Sequence, residues 1–313
     1  MIEAEQLSLS YGDVKAVCDV SFRIERSEIV GLLGHNGAGK TTIMKMLTGY
    51  LEPSAGHIMI DGFELTTHRQ EIQRRIGYLP ENCPLYPDMT VIDYLEYQAS
   101  LQGVPPAERA AAIREAVGAT GLDARAMHGV ATLSRGYRQR VGVARAILHK
   151  PRIIILDEPT NGLDPSQIQH MRALIHSLAQ HATVLISTHI LQEVEAVCTR
   201  VLMLRQGRLA LDAKLSELGQ AQSLVVSVGA APKRARSLLG SVSGVEHIEE
   251  IGADQDRYSY RLALGASDPG GIACVVGREM YENGIALYRL QPEVAGLETV
   301  FREINEAEEV AHA

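Results

Sequence analysis

The chain has 313 residues, of which 46% are hydrophobic and 22% charged, a composition typical of a soluble protein and a length that suits two domains with sizeable cores. Its formal charge of −8 is uneven: residues 220–313 hold 8 Lys and Arg against 14 Asp and Glu, which argues against nucleic-acid binding through that region. No run approaches the roughly 18 apolar residues that a membrane-spanning helix needs, and the first residues lack a charged-then-apolar leader pattern. If the protein works at a membrane, another chain must supply the span. Cys18, Cys83, Cys198 and Cys274 are far apart and form no metal-ligand pair, so they read as reduced, mostly buried thiols of a cytosolic protein.

In chain order, residues 2–9 and 17–24 alternate as half-buried strands around a turn at Tyr11-Gly12-Asp13. A short apolar run at 29–33 reads as a buried strand, and residues 42–47 as the first turns of a helix. Between them stands Gly34-His35-Asn36-Gly37-Ala38-Gly39-Lys40-Thr41, which fits G-x-x-x-x-G-K-[ST] in the strand-to-helix setting that a phosphate-binding loop requires. The glycines allow a tight turn that aims N–H groups at phosphate oxygens. The helix N-terminus adds positive charge, Lys40 reaches the terminal phosphates, and Thr41 offers a hydroxyl to Mg²⁺. Taken alone, the same residues would also make a glycine-rich turn with a surface lysine.

Short strands follow at 57–62 and 75–80, then a helical stretch from about 90 to 150 punctuated by Pro105-Pro106 and Gly121. Residues 152–158 read as a fully buried parallel strand ending in Asp157 and Glu158. In a parallel sheet such strand ends border the ligand crevice. There Asp157 is placed to hold Mg²⁺ and Glu158 to polarise the water that attacks the γ-phosphate. A helix at 165–180, a strand at 183–187, a helix at 190–198 and a hairpin through Gln206-Gly207 complete this part. Near 219–222 the pattern restarts. Residues 223–313 then run strand, helix, strand, strand, helix, strand and a closing helix at 296–309, an order that suggests a small ferredoxin-like module.

These landmarks together resemble the ATP-binding subunit of an ABC transporter over roughly residues 1–217. Tyr11 sits at the family's adenine-stacking position, residues 34–41 match the Walker A loop, with Thr42 behind it also expected at the nucleotide, and residues 153–158 resemble the Walker B strand with its catalytic glutamate. Asn161-Gly162-Leu163-Asp164 matches the D-loop, His189 the switch histidine, and Leu133-Ser134-Arg135-Gly136-Tyr137 stands where the signature belongs. The resemblance implies a P-loop NTPase cassette at 1–219, with a RecA-like α/β core, an antiparallel β subdomain and a helical subdomain at about 90–150. An α+β accessory domain at 220–313 follows, in which no cluster of catalytic side chains stands out. The resemblance also implies two chains sandwiching two MgATP molecules, with Ser134 and Gly136 of one chain completing the site of the other. Taken separately, Ser134 would be an ordinary helix N-cap, Tyr11 a surface ring and His189 a core or capping histidine.

Two positions depart from the family pattern. The signature reads LSRGY where the family carries LSGGQ, and the implied role for Arg135 is added charge near the γ-phosphate. Glu81 stands where many relatives carry the Q-loop glutamine, and a carboxylate there can still ligate Mg²⁺. The Tyr78-Leu79-Pro80-Glu81 loop, the signature and the Gly296-Leu297-Glu298-Thr299-Val300-Phe301 close are similar to those of type-2 exporter ATPases of the drug-resistance and gliding-motility kinds. This implies a homodimer in the cytoplasm, peripheral on the inner membrane face, docked on a separate permease through residues 82–88 and the helix after Thr90. The rival is a soluble cassette ATPase acting on ribosomes or nucleic acid. Members of that kind usually carry two cassettes or a long coiled coil, and this sequence has neither.

Overall fold

The computed structural model describes residues 1–218, 221–254, 257–265, 268–294 and 296–306. The chain divides into two compact units, Met1–Lys214 and Leu215–Ala313. The expected domain limit at 219/220 and the expected end of the last helix at 307–309 lie outside the described residues.

The first unit is built on a six-stranded sheet in the spatial order Arg208–Lys214, Arg200–Arg205, Ile29–Leu33, Thr183–Thr188, Ile153–Asp157, Ile76–Leu79. Every neighbouring pair from Arg200–Arg205 to Ile76–Leu79 is parallel, and only the outer hairpin is antiparallel. Ile29–Leu33, Ile153–Asp157 and Thr183–Thr188 are buried at every position. This is why they read as unbroken apolar runs: a parallel sheet is covered on both faces. One face packs on the helix Lys40–Leu47 and on a second, antiparallel sheet, in a cluster holding Ile2, Leu7, Ile24, Ile43, Met44 and Ile155. That sheet runs Val14–Ile24, Ile2–Tyr11, Ala55–Ile60, Phe63–Glu64. The opposite face is covered by the helix Pro165–Ala179 through Met171, Leu174 and Ile175. The helices Val91–Leu101, Pro106–Ala119 and Arg135–Ile147 form a separate cluster around Tyr94, Leu95, Val117 and Val141.

The second unit has its own sheet, in the order Val245–Asp254, Arg257–Leu264, Ala221–Gly229, Ala286–Val294, with all neighbours antiparallel. The helices Pro232–Gly240 and Pro269–Glu282 bury Ala235, Leu239, Ile272 and Val276 against Leu224, Val226 and Leu262. This is the split β-α-β pattern. Pro292 is tolerated because Ala286–Val294 is an edge strand, so its missing N–H interrupts no second ladder. Across the sheet, Arg261 donates to Glu293 at 2.6 Å and to Glu249 at 2.9 Å.

The Arg261 hydrogen bonds hold the Glu293 carboxyl below its ordinary pKa. A carboxylate depressed in the folded state stabilises fully above its unfolded pKa and loses that contribution as the pH falls through the folded value. Glu293→Gln should therefore destabilise the second unit at pH 7 by less than about 1 kcal/mol. As the pH falls from about 4.3 through the lower folded value, denaturant titrations of variant and wild type should draw together and finally converge.

Candidate functional site

The strand Ile29–Leu33 delivers the chain into the glycine-rich loop, and the helix Lys40–Leu47 begins directly behind it. Gly39 has φ 105°, and a Cβ there would lie 2.6 Å from the Ala16 carbonyl oxygen, so both conformation and space require glycine. Lys40 is buried, and its ammonium donates to the Gly34 carbonyl at 2.7 Å and the His35 carbonyl at 3.3 Å. It also lies 3.6 Å from Glu158 Oε1. Beside it opens a cavity of about 400 Å³, lined by Ala16, Asn36, Gly37, Gly39, Lys40, Thr41, Thr42, Glu81, Glu158, Asn161 and His189.

The acidic wall comes from the neighbouring strand ends. Asp157 is wholly buried, and its Oδ1 accepts from the Ser187 hydroxyl and from Thr41 Oγ1 at 3.3 Å. Its Oδ2 is buried with no hydrogen-bond partner. An orphaned carboxylate oxygen beside a threonine hydroxyl is a hard-donor pair that fits Mg²⁺, which takes few protein ligands and completes its shell with phosphate and water. Among the described residues no group of three or more His, Cys, Asp and Glu could hold a metal alone. The pair therefore fits a magnesium that arrives with phosphate.

Glu158 sits at φ 48°, in the left-handed region that costs a non-glycine residue of the order of 1–3 kcal/mol and is seen here at a strand end. Its N–H donates to Ser187 Oγ at 2.9 Å, and both its carboxylate oxygens lie 3.0–3.1 Å from His189 Nδ1. The wall thus holds a buried carboxylate in contact with a buried lysine on one side and an imidazole on the other.

The structure does not bring every expected residue to this cavity. Gly34, His35 and Ala38 belong to the loop but do not line the space. Tyr11 lies half exposed at the end of the strand Ile2–Tyr11. Ser134 caps the helix Arg135–Ile147, accepting from the Tyr137 N–H, and Asp164 caps Pro165–Ala179, accepting from the Gln167 N–H at 2.9 Å. Gly136 packs against Gln167, where a Cβ would fall 1.9 Å from Oε1. The Arg135 guanidinium rests on Gly162, itself at φ 71°, so close that a Cβ on Gly162 would lie 2.5 Å from Cζ. Sequence reasoning missed Ala16 and Asn161 as wall residues and Ser187 as the partner of both Asp157 and Glu158. Only Asn161, three residues after Glu158, carried a local signal.

A strand–loop–helix cradle with a buried lysine, a threonine hydroxyl and a paired acidic strand end defines a P-loop nucleotide-hydrolase cassette. Residues 17–161 match the family model described as ABC transporter. The chain is 40% identical over 211 residues to the bacitracin transport ATP-binding protein BcrA of Bacillus licheniformis, covering 67% of this chain and 68% of that one. Identity is also 40% over 211 residues to the ABC transporter ATP-binding protein NatA of Bacillus subtilis, with 67% and 86% covered. The linearmycin resistance ATP-binding protein LnrL of Bacillus subtilis aligns over 306 residues at 28% identity, covering 96% of this chain and 97% of that one. Among solved structures, the dimeric cassette MJ0796 superposes with a TM-score of 0.64 at 26% identity, covering 69% of this chain and 99% of that one. The same cassette bound to ADP and Pi in a post-hydrolysis state gives 0.63 at 25% identity, with 69% and 99% covered. The chain belongs to the ABC transporter family, as an ATP-binding, ATP-hydrolysing subunit.

Gly39→Ala adds a Cβ against the Ala16 carbonyl at a φ that L-residues avoid. Strain of about 1–3 kcal/mol should weaken ATP binding at least about fivefold, at 1.4 kcal/mol per tenfold. Titration with a fluorescent ATP analogue reads this directly.

Proposed function

We propose that two copies of this chain close on two MgATP molecules and, by hydrolysing them, drive export through a separate membrane permease. The observation that carries the reading is the contact of Lys40, Glu158 and His189 at the cavity wall, with Asp157 behind it. In this reading the backbone of residues 34–39, with Lys40 and Thr42, holds the phosphates, and Tyr11 stacks on the adenine. Thr41, Asp157 and Glu81 would hold magnesium, which supplies charge neutralisation across the β- and γ-phosphates when bound. Ser134 and Gly136 of the second copy, at the N-terminus of the helix Arg135–Ile147, would meet the γ-phosphate. Asp164 would hold the loop beside it.

Glu158 accepts a proton from the attacking water. The water oxygen bonds to the γ-phosphorus as the bond to the bridging oxygen breaks, leaving ADP and inorganic phosphate. His189, already against Glu158, would contact the γ-phosphate. Arg135 rests on Gly162 of its own chain, a position that favours bracing the D-loop over direct contact with phosphate. Arg135→Gly should therefore alter turnover while ATP affinity stays within about twofold.

No described helix is long and apolar enough to cross a membrane; in this reading a separate permease supplies the span and the chain sits peripherally on its cytoplasmic side. The proposed docking surface is residues 82–88 with the helix Val91–Leu101, where Tyr86, Tyr97 and Leu101 stand exposed. Tyr86 packs its ring on Tyr94 and Tyr97 at 5.9 and 5.8 Å, a firm aromatic platform. The second unit is read as a dimerising or regulatory module. Deleting residues 220–313 should weaken dimerisation or coupling and leave nucleotide binding intact.

Glu158→Gln should bind ATP normally, accumulate as a closed dimer, and turn over about 10²–10⁴-fold more slowly. Sedimentation and phosphate release measure the two effects. Normal turnover would overturn the assignment of the base. Affinity capture from detergent-solubilised membranes should retain a stoichiometric polytopic protein. Ribosomal or DNA-bound partners without one would favour the soluble reading.

A further inference from the structure

Glu193 lies on the short helix Leu191–Val197 and is buried, at 7% exposure. Glutamate is almost never buried without a partner, yet Glu193 makes no ion pair among the described residues. Its Oε2 instead accepts two hydroxyls, Thr160 Oγ1 and Thr188 Oγ1, the latter at 3.1 Å. Both threonines are themselves buried. Thr160 stands two residues after Glu158, and Thr188 immediately precedes His189. Thr188 Oγ1 also accepts the Ile190 N–H at 3.1 Å, which fixes the backbone just beyond His189. One carboxylate oxygen therefore joins the loop that carries Glu158 to the loop that carries His189. Those two side chains meet at 3.0 Å directly in front of the tie.

We propose that Glu193 is a positioning residue for hydrolysis: it holds the Glu158 and His189 loops in register through Thr160 and Thr188, without touching the nucleotide. The inference rests on the reading of Glu158 as base and His189 as its γ-phosphate partner. Burying this group has a desolvation cost that two neutral hydroxyls offset only in part, and a purely structural tie would be served as well by apolar packing. What the carboxylate oxygen adds is a shared acceptor, and an amide oxygen at the same place can accept from both hydroxyls.

The test uses the full-length chain with four variants, Glu193→Ala, Glu193→Gln, Glu158→Gln and the pair Thr160→Val with Thr188→Val. Turnover is expressed per nucleotide-binding site, titrated with a fluorescent ATP analogue, so that loss of folded protein does not register. Glu193→Ala should lower kcat about 10–100-fold, the range in which mispositioned catalytic groups act, with KM for ATP within twofold. Glu193→Gln should retain most of the wild-type kcat. The threonine pair should reproduce the alanine effect, and adding Glu193→Ala to it should cost nothing more. The threonine pair also serves if Glu193→Ala does not fold. An unchanged kcat per site in Glu193→Ala or in the threonine pair overturns the proposal, as does a Glu193→Gln variant no better than alanine. A Glu158→Gln variant of normal turnover instead overturns the reading of the base on which the proposal rests.

Discussion

The lateral register of three parallel strands is the constraint on which the site depends. Leu33 pairs with Thr188, and Asp157 with Ser187, so the glycine-rich loop, His189 and the acidic pair leave the sheet at one level. A slip of one residue would turn every side chain of a strand to the other face. Polar ties at the strand ends, Ser187 and Thr41 on Asp157 Oδ1, hold the level that uniformly apolar runs alone would not specify. Packing thus places the chemistry: the same helices that cover the sheet hold Lys40, Glu158 and His189 within contact distance.

Behind that edge lies an unusual concentration of buried charge. Lys40, Asp157, Glu158 and Glu193 are all below one tenth exposed. Each has an identifiable partner: Lys40 donates to loop carbonyls, Asp157 Oδ1 accepts from Ser187 and Thr41, the Glu158 carboxylate lies against His189 and Lys40, and Glu193 accepts from two threonines. In such surroundings electrostatic interactions are only weakly screened, so small displacements of the loops carry large energetic consequences. The left-handed conformation of Glu158 belongs to the same economy of placement. It turns the chain sharply at the strand end and sets the carboxylate towards both Lys40 and His189.

Much of this was legible in the sequence wherever the signal was local. The loop and the acidic strand end each follow from a few adjacent residues, and the order of the second unit from the succession of strand and helix patterns along it. The helix Arg135–Ile147 begins directly after Ser134, whose cap offsets the poor helix propensity of Gly136. The strand Phe63–Glu64 and the helix Arg69–Gln73 are too short to show a period. Cysteine burial was overestimated: Cys274 is exposed, and the other three are half-buried. Ser187 and Ala16 act on residues far away in sequence, and Glu193 matters through its tie to the distant Thr160, so no local pattern marks them. Arg135 shows the same limit, since its contact with Gly162 depends on how two loops fold together.

The account's central claim is a site completed across two copies, and a mixing experiment tests it most directly. A Glu158→Gln chain and a Ser134→Glu chain, each inactive alone, are combined and ATP turnover is followed. In a mixed dimer one site pairs an intact Glu158 with an intact Ser134, so mixing should restore activity in proportion to the mixed dimers formed. If the mixture stays as inactive as its components while mixed dimers are present, or if Ser134→Glu alone turns over normally, the site is not shared and the account is contradicted.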